Sequence, residues 1–153
     1  MAYSFHQIAD IVSGEIKKEL SDNSSFFIEH LLIDTRKIIY PESSVFIAIN
    51  GVRNNGHNYL TEAYNAGVRC FIVEYLPDDF AEKEMNCVVV KNSLNALQSI
   101  AAFHRNQFKC PVVGITGSNG KTIVKEWLYT LLKEDLNIIR NPKSFNSQVG
   151  VPL

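Results

Sequence analysis

The sequence has no surplus of charge of either sign: 15 basic and 16 acidic side chains leave a formal charge of −1. Nucleic acid is held by a broad positive field, so a nucleic-acid partner is excluded. No apolar run approaches the roughly 20 residues that a membrane span needs. Residues 1–8 lack a basic stretch followed by an apolar one, so nothing suggests export and the expected location is the cytoplasm. Cysteine is scarce. Cys70, Cys87 and Cys110 are odd in number and far apart, with no C-x-x-C pair, which excludes a disulfide framework and a zinc site. Their apolar surroundings predict buried thiols. Internal repeats, low-complexity tracts and charge blocks are also missing. The 153 residues suffice for one core of ordinary size, or for a small domain plus part of another.

Glycine is sparse too, eight in all, yet three of the eight fall in the run Val112-Val113-Gly114-Ile115-Thr116-Gly117-Ser118-Asn119-Gly120-Lys121-Thr122. Residues 112–116 read as a buried strand. Val124, Trp127, Leu128, Leu131 and Leu132 have the spacing of one helix face, and 137–140 reads as a further strand, completing a βαβ unit. Between strand and helix, glycines let backbone amides approach phosphate oxygens. Lys121 can reach the terminal phosphates and the Thr122 hydroxyl can sit on Mg²⁺. The general P-loop has glycine where this chain has Ile115, with Gly114 one residue early, so the motif is a variant. The competing reading is a glycine-rich turn that binds nothing.

Upstream, strands alternate with helices, which predicts an α/β architecture. Ser4 and Gln7 have capping-box spacing for a helix through Phe5, Ile8, Ile11 and Val12 that Gly14 can end. Strands are expected at 26–33, 45–49, 68–74 and 86–90. Helices are expected at 59–66, stopped by Gly67, and from a Ser93 cap along Leu94, Leu97, Ala101, His104 and Phe108. A boundary falls at 107–111, where this helix ends before Pro111.

Polar groups directly follow two of the apolar strands. Asp34-Thr35-Arg36 comes after Leu31-Leu32-Ile33, and a run with Asn50, Gly51, Asn55, Gly56 and His57 comes after Ile47-Ala48-Ile49. Loops at strand ends are where ligands sit in α/β sheets, and these groups suit a sugar, uracil or pyrophosphate. Turn chemistry explains them equally well: Asn-Gly and Asp-Thr form turns, and Arg36 can pair with Asp34. His57 is a ligand donor or a cap-region residue, and His104 reads as a satisfied, partly buried histidine.

Three segments together resemble the Mur ligases of peptidoglycan synthesis, in particular the branch that adds D-alanyl-D-alanine. They are the 114–122 loop with its early first glycine, the pair Ile33-Asp34-Thr35-Arg36-Lys37 and Asn55-Gly56-His57 with the strand between them, and Ser144-Phe145-Asn146-Ser147-Gln148-Val149-Gly150-Val151-Pro152. Many family members have a second asparagine and an acid where this chain has Ser147 and Gln148. The resemblance implies an α/β UDP-sugar-binding domain at 1–108, followed at 109–153 by the first βαβ unit of a P-loop ATPase domain, with further domains beyond. It implies an ATP- and Mg²⁺-dependent ligase whose substrates are a UDP-MurNAc-peptide and D-Ala-D-Ala. Lys121 and Thr122 would be catalytic, with Thr122 on the metal. Gly114, Thr116, Gly117, Ser118, Asn119, Gly120, Lys121 and Thr122 would hold ATP, and Asp34, Thr35, Arg36, Asn50, Gly51, Asn55, Gly56, His57 and Asn146 the UDP-sugar peptide. A sibling ligase, a folylpolyglutamate-synthase-like enzyme and a non-catalytic UDP-sugar or nucleotide-binding module remain alternatives. The apolar strand at 112–116 also predicts self-association of the 153-residue chain.

Overall fold

The computed structural model describes residues 2–21, 26–51, 54–141 and 147–152. Strand β1 (Tyr3–Ser4) leads into helix α1 (Phe5–Val12), where the Ser4 hydroxyl accepts from the Gln7 N–H and the Gln7 side chain accepts from the Ser4 N–H. The expected capping box is formed. The helix ends one residue earlier than expected, on left-handed Ser13 (φ 50°). Gly14 serves close packing instead: a Cβ there would lie 2.2 Å from Val88 Cγ1.

The main sheet holds five strands in the order β2-β7-β6-β5-β4: β2 (Glu15–Lys18), β4 (His30–Leu32), β5 (Ser44–Ile47), β6 (Cys70–Val73) and β7 (Asn86–Val89). Strands β4 to β7 are mutually parallel and β2 runs antiparallel along β7. Strand β2 escapes a sequence reading because Ile16 is its only apolar residue and the strand is largely exposed at the sheet edge. The apolar run 26–33 divides at Glu29: β3 (Phe27–Ile28) pairs antiparallel with β1, and only β4 joins the main sheet.

Strands β5 and β6 are buried throughout, so their alternation separates two cores rather than core from solvent. Val45, Ile47, Cys70, Ile72 and Val88 face α1 and helix α3 (Ser93–Asn106). Phe46, Phe71, Cys87 and Val73 face helix α2 (Leu60–Asn65), Phe80 and Met85. The result is a three-layer sandwich. Helix α3 is capped by Asn92, which accepts from the Asn95 N–H, and Ser93 is its first residue rather than its cap. Its buried stripe is Ser93, Ala96, Leu97 and Ile100, leaving Phe108 exposed. Gly67 adopts φ +99° after α2, the left-handed stop expected of it.

Cys70 and Cys87 are buried free thiols, and burial pushes the Cys87 pKa up to about 11. Cys110 is exposed, contrary to expectation, because the chain has left the core by that point.

Helix α4 (Lys121–Leu132) follows the glycine loop as expected but buries no residue; Trp127 is 67% exposed and Leu131 72%. Residues 112–116 and 137–140 form no ladder among the described residues, because a strand exists only through bonds to a neighbour and none lies beside them. The second stretch lies along α4, where Arg140 pairs with Glu126 and covers the Tyr129 ring at 4.1 Å. Val149 packs on the α1/α3 core, and the Gln148 carbonyl accepts from the Gln98 amide at 3.3 Å. Among the described residues, no helix is long and apolar enough to cross a membrane.

Candidate functional site

Because β4 to β7 are parallel, the residues that follow them gather at one edge of the sheet. Asp34 follows β4, Asn50 follows β5, Glu74 follows β6 and Ser93 opens α3 after β7. Ligands bind at such carboxyl edges.

Asp34 caps the 3₁₀ turn Thr35–Lys37 by accepting the Arg36 N–H. It also grips the Arg36 guanidinium through two bonds, Nε to Oδ1 at 2.9 Å and Nη2 to Oδ2 at 2.8 Å. The bidentate bonds from Arg36 hold the Asp34 carboxyl down at about 2. The turn-chemistry reading of this pair is therefore realised in the geometry. The Arg36 side chain is 85% exposed, so it keeps donors open to solvent while its orientation is fixed.

The second group is bound more tightly. Asn50 and Asn55 form an isolated antiparallel bridge, and the Gly51 N–H donates to the Asn54 carbonyl at 3.0 Å. Asn55 Oδ1 accepts the His57 N–H at 3.0 Å and meets His57 Nδ1 at 2.8 Å. His57 Nε2 accepts the Glu74 N–H at 3.0 Å, and the ring stacks on Tyr75 with centroids 4.1 Å apart. His57 is 6% exposed, and burial lowers its pKa below the ordinary histidine value against the opposing pull of Glu74. Both ring nitrogens are thus committed within the protein. Gly56 is needed for proximity: its Cα lies so close to the β5 exit that a Cβ would sit 2.6 Å from Ile49 N and 2.7 Å from the Ala48 carbonyl carbon.

Two residues that sequence reasoning missed tie the second group to the end of β6 and the start of α3. The Glu74 carboxylate accepts the Ser93 N–H and Ser93 hydroxyl, both at 2.9 Å, through one oxygen, and the Asn50 amide at 3.1 Å through the other. Ser93 Oγ in turn accepts the Asn50 N–H at 3.1 Å. Burial raises the Glu74 pKa, but these bonds and nearby His57 outweigh it and hold the group below the usual carboxylate range. Glu74 also occupies the N-terminus of α3, so a ligand phosphate has no access to the first amide of that helix. Glu74 is a polar residue directly after an apolar strand, the same signal that singles out Asp34.

The glycine loop has a different character. Gly117 (φ +143°) and Gly120 (φ +76°) adopt backbone conformations that side chains disfavour, and Gly114 and Gly120 have no atom within 4 Å of a notional Cβ. Gly120 occupies the cap position of α4 and offers no side-chain cap. Thr116, Ser118 and Asn119 are exposed, and Thr122 is the second helical residue. Lys121 folds back, its Nζ bonded to the carbonyls of Gly117 and Ser118. Asn146 lies outside the described residues. A groove of about 620 Å³ runs beside edge strand β4, past Tyr3, Tyr40, Ile100 and His104. It reaches Asp34 but neither Asn50 nor His57.

A largely parallel sheet with polar groups collected at its carboxyl edge, followed by a glycine loop that opens a helix, defines the class: an α/β protein with its polar loops where such folds bind ligands. Comparison with known proteins narrows this. No family model matches the chain. Over 146 residues, 95% of the chain, it is 29% identical to the UDP-N-acetylmuramoyl-tripeptide--D-alanyl-D-alanine ligase of Bacillus subtilis. A crystal structure of MurF from Acinetobacter baumannii superposes over 99% of the chain with a TM-score of 0.85 at 27% identity. The MurF ligase of Thermotoga maritima, solved in complex with ADP, matches 81% of the chain with a TM-score of 0.70 at 30% identity. The chain belongs to the Mur ligase family and corresponds to the N-terminal part of its MurF type. It spans 31% of the Bacillus relative and 32% and 28% of the two solved chains.

Proposed function

We propose that residues 1–108 bind the UDP-sugar and residues 109–153 open the ATP-binding domain of a cytoplasmic, ADP-forming ligase that joins D-alanyl-D-alanine to UDP-MurNAc-tripeptide. The likeness to MurF proteins along nearly the whole chain supports this reading most strongly. In that reaction, ATP phosphorylates the terminal carboxylate of the tripeptide, and the D-alanyl-D-alanine amine displaces phosphate from the acyl phosphate, leaving an amide, ADP and phosphate.

The chain's own residues divide the work. Thr35, exposed Arg36, Asn50, Gly51 and Asn55 orient the nucleotide-sugar at the carboxyl edge of the sheet. Asp34 fixes Arg36, and Gly56 and His57 shape the second loop. The amides of 117–121 cradle phosphates at the open N-terminus of α4, a site whose uncapped helix and crowd-free glycines fit an anion. On nucleotide binding, Lys121 leaves the Gly117 and Ser118 carbonyls for the terminal phosphates, neutralising charge in transfer. Among the described residues, no cluster of three or more His, Cys, Asp or Glu could hold a metal ion. The Thr122 hydroxyl would be one ligand of Mg²⁺ bound with the nucleotide, which would supply charge neutralisation on the phosphates.

Calorimetry tests the reading. The chain should bind UDP-MurNAc-tripeptide saturably, Asn50→Ala should weaken that binding, and Lys121→Ala should leave it unchanged while abolishing uptake of inorganic phosphate by the loop. A silent titration with the UDP-sugar peptide would overturn the assignment.

A further inference from the structure

We propose that His57 and Glu74 are positioning residues for the nucleotide-sugar loop: His57, neutral with its proton on Nδ1, and the Glu74 carboxylate together hold Asn50 and Asn55 in receptive geometry, and protonation of His57 at Nε2 releases them. The inference rests on the reading of the carboxyl-edge cluster as the UDP-sugar site.

Hydrogen-bond logic fixes the tautomer. A backbone N–H can only donate, so His57 Nε2, 3.0 Å from the Glu74 nitrogen, carries no proton. Asn55 Oδ1 takes the His57 backbone N–H and is therefore an oxygen, so His57 Nδ1 at 2.8 Å donates to it. The Asn55 amide nitrogen is thereby directed to the Tyr75 hydroxyl at 3.4 Å. Glu74 closes the other half of the frame, receiving Asn50 through one oxygen and Ser93 through the other. Its two oxygens act only as acceptors there, which an amide cannot reproduce at both positions at once.

A second proton on His57 would point an N–H at the Glu74 N–H with no acceptor between them. The bond that ties the 55–57 turn to the end of β6 would be lost. The groups facing the ring are Asn55 from its own loop, the Tyr75 ring against its face and Glu74 from the end of β6, with Ser93 of α3 acting through Glu74. Of these only Glu74 carries charge near neutrality. It favours the imidazolium, but burial outweighs it and keeps the ring neutral.

The test is the affinity of the chain for UDP-MurNAc-tripeptide between about pH 7.5 and about pH 5, across the range where histidine titrates. It is combined with ¹⁵N spectra of the His57 ring. Wild type should lose about tenfold, equivalent to about 1.4 kcal/mol. His57→Gln keeps an amide oxygen where Nε2 accepts but loses the Nδ1–H bond to Asn55 and cannot titrate, so its affinity should be reduced at neutral pH and stay flat on acidification. His57→Ala and Glu74→Gln should be weak at every pH while Thr35 and Arg36 keep their native amide shifts. The ring spectra should show the Nδ1–H tautomer at neutral pH. Absence of binding at any pH would overturn the nucleotide-sugar reading and this inference with it. A binding chain with a flat wild-type profile, a pH-dependent His57→Gln, or an Nε2–H ring would overturn this inference alone.

Discussion

Replacing Gly56 by alanine tests whether the second loop is held by contact with the strand it follows. The added Cβ would lie 2.6 Å from Ile49 N, 2.7 Å from Ala48 C and 2.8 Å from Ala48 Cα, all backbone atoms of a chain segment that is itself bonded to β6 through Ala48 N–H. Reaching ordinary contact at 3.4 Å from Ile49 N requires a shift of about 0.8 Å, the difference between 3.4 and 2.6. No flexible side chain is present to absorb it. Overpacking of this kind costs about 1–3 kcal/mol, and at about 2–4 °C per kcal/mol for a chain this size the melting temperature should fall by about 5 °C. The displaced residues lead directly into Asn50, so UDP-sugar affinity should fall as well. Gly114→Ala is the matched control: nothing lies within 4 Å of its notional Cβ, and stability should be unchanged. Differential scanning calorimetry of both variants decides it. A Gly56→Ala chain melting within about 1 °C of wild type, a shift worth well under 1 kcal/mol, would refute the claim that the loop depends on this close approach.

Acidification should destabilise the folded chain. The lowered pKa of His57 means that the unfolded chain takes up the proton first, so its contribution is complete above the ordinary value of about 6.5 and is lost as pH falls through the lower folded value. Urea denaturation at stepped pH reads this slope, and His57→Gln should flatten it; an equal slope in both would refute it. In hydrogen exchange, amides of α4 should exchange far faster than those of β5 and β6, because the helix buries no residue and a 12-residue helix without packing is marginal. Comparable protection in α4 and β5 would contradict the exposure of this helix. Val112, Val113, Trp127, Leu131 and Ile139 together expose enough apolar surface that light scattering should show mass rising with concentration. A constant monomer mass would count against it.

The parts of this fold that were legible in the sequence are those fixed by local chemistry. The Ser4/Gln7 capping box, the Gly67 stop and the glycine loop opening a helix at Lys121 are written in a few adjacent residues. Strand β2 was invisible because an antiparallel edge strand needs little apolar content once β7 supplies its ladder. The run 26–33 looked like one strand because hydrophobicity cannot say which sheet will claim each half. The site shows the same division. Asp34, Asn50 and His57 stand out as polar residues after apolar runs, but Glu74 and Ser93, the partners of Asn50, lie 24 and 43 residues from it, so no spacing rule connects them. That separation also left the role of His57 open, since only the positions of Glu74 N–H and Asn55 Oδ1 reveal that both ring nitrogens are used.

The central claim, that the carboxyl edge of the sheet receives a nucleotide-sugar, is tested most directly by titrating UDP-MurNAc-tripeptide into the ¹⁵N-labelled chain and following its amides. Perturbations should concentrate at Thr35, Arg36, Asn50, Gly51 and Asn55, with the Glu74 amide moving in step and the outer surface of α4 unaffected. Saturable shifts confined to the groove beside β4, at Tyr3, Tyr40, Ile100 and His104, or no shifts at all, would contradict it.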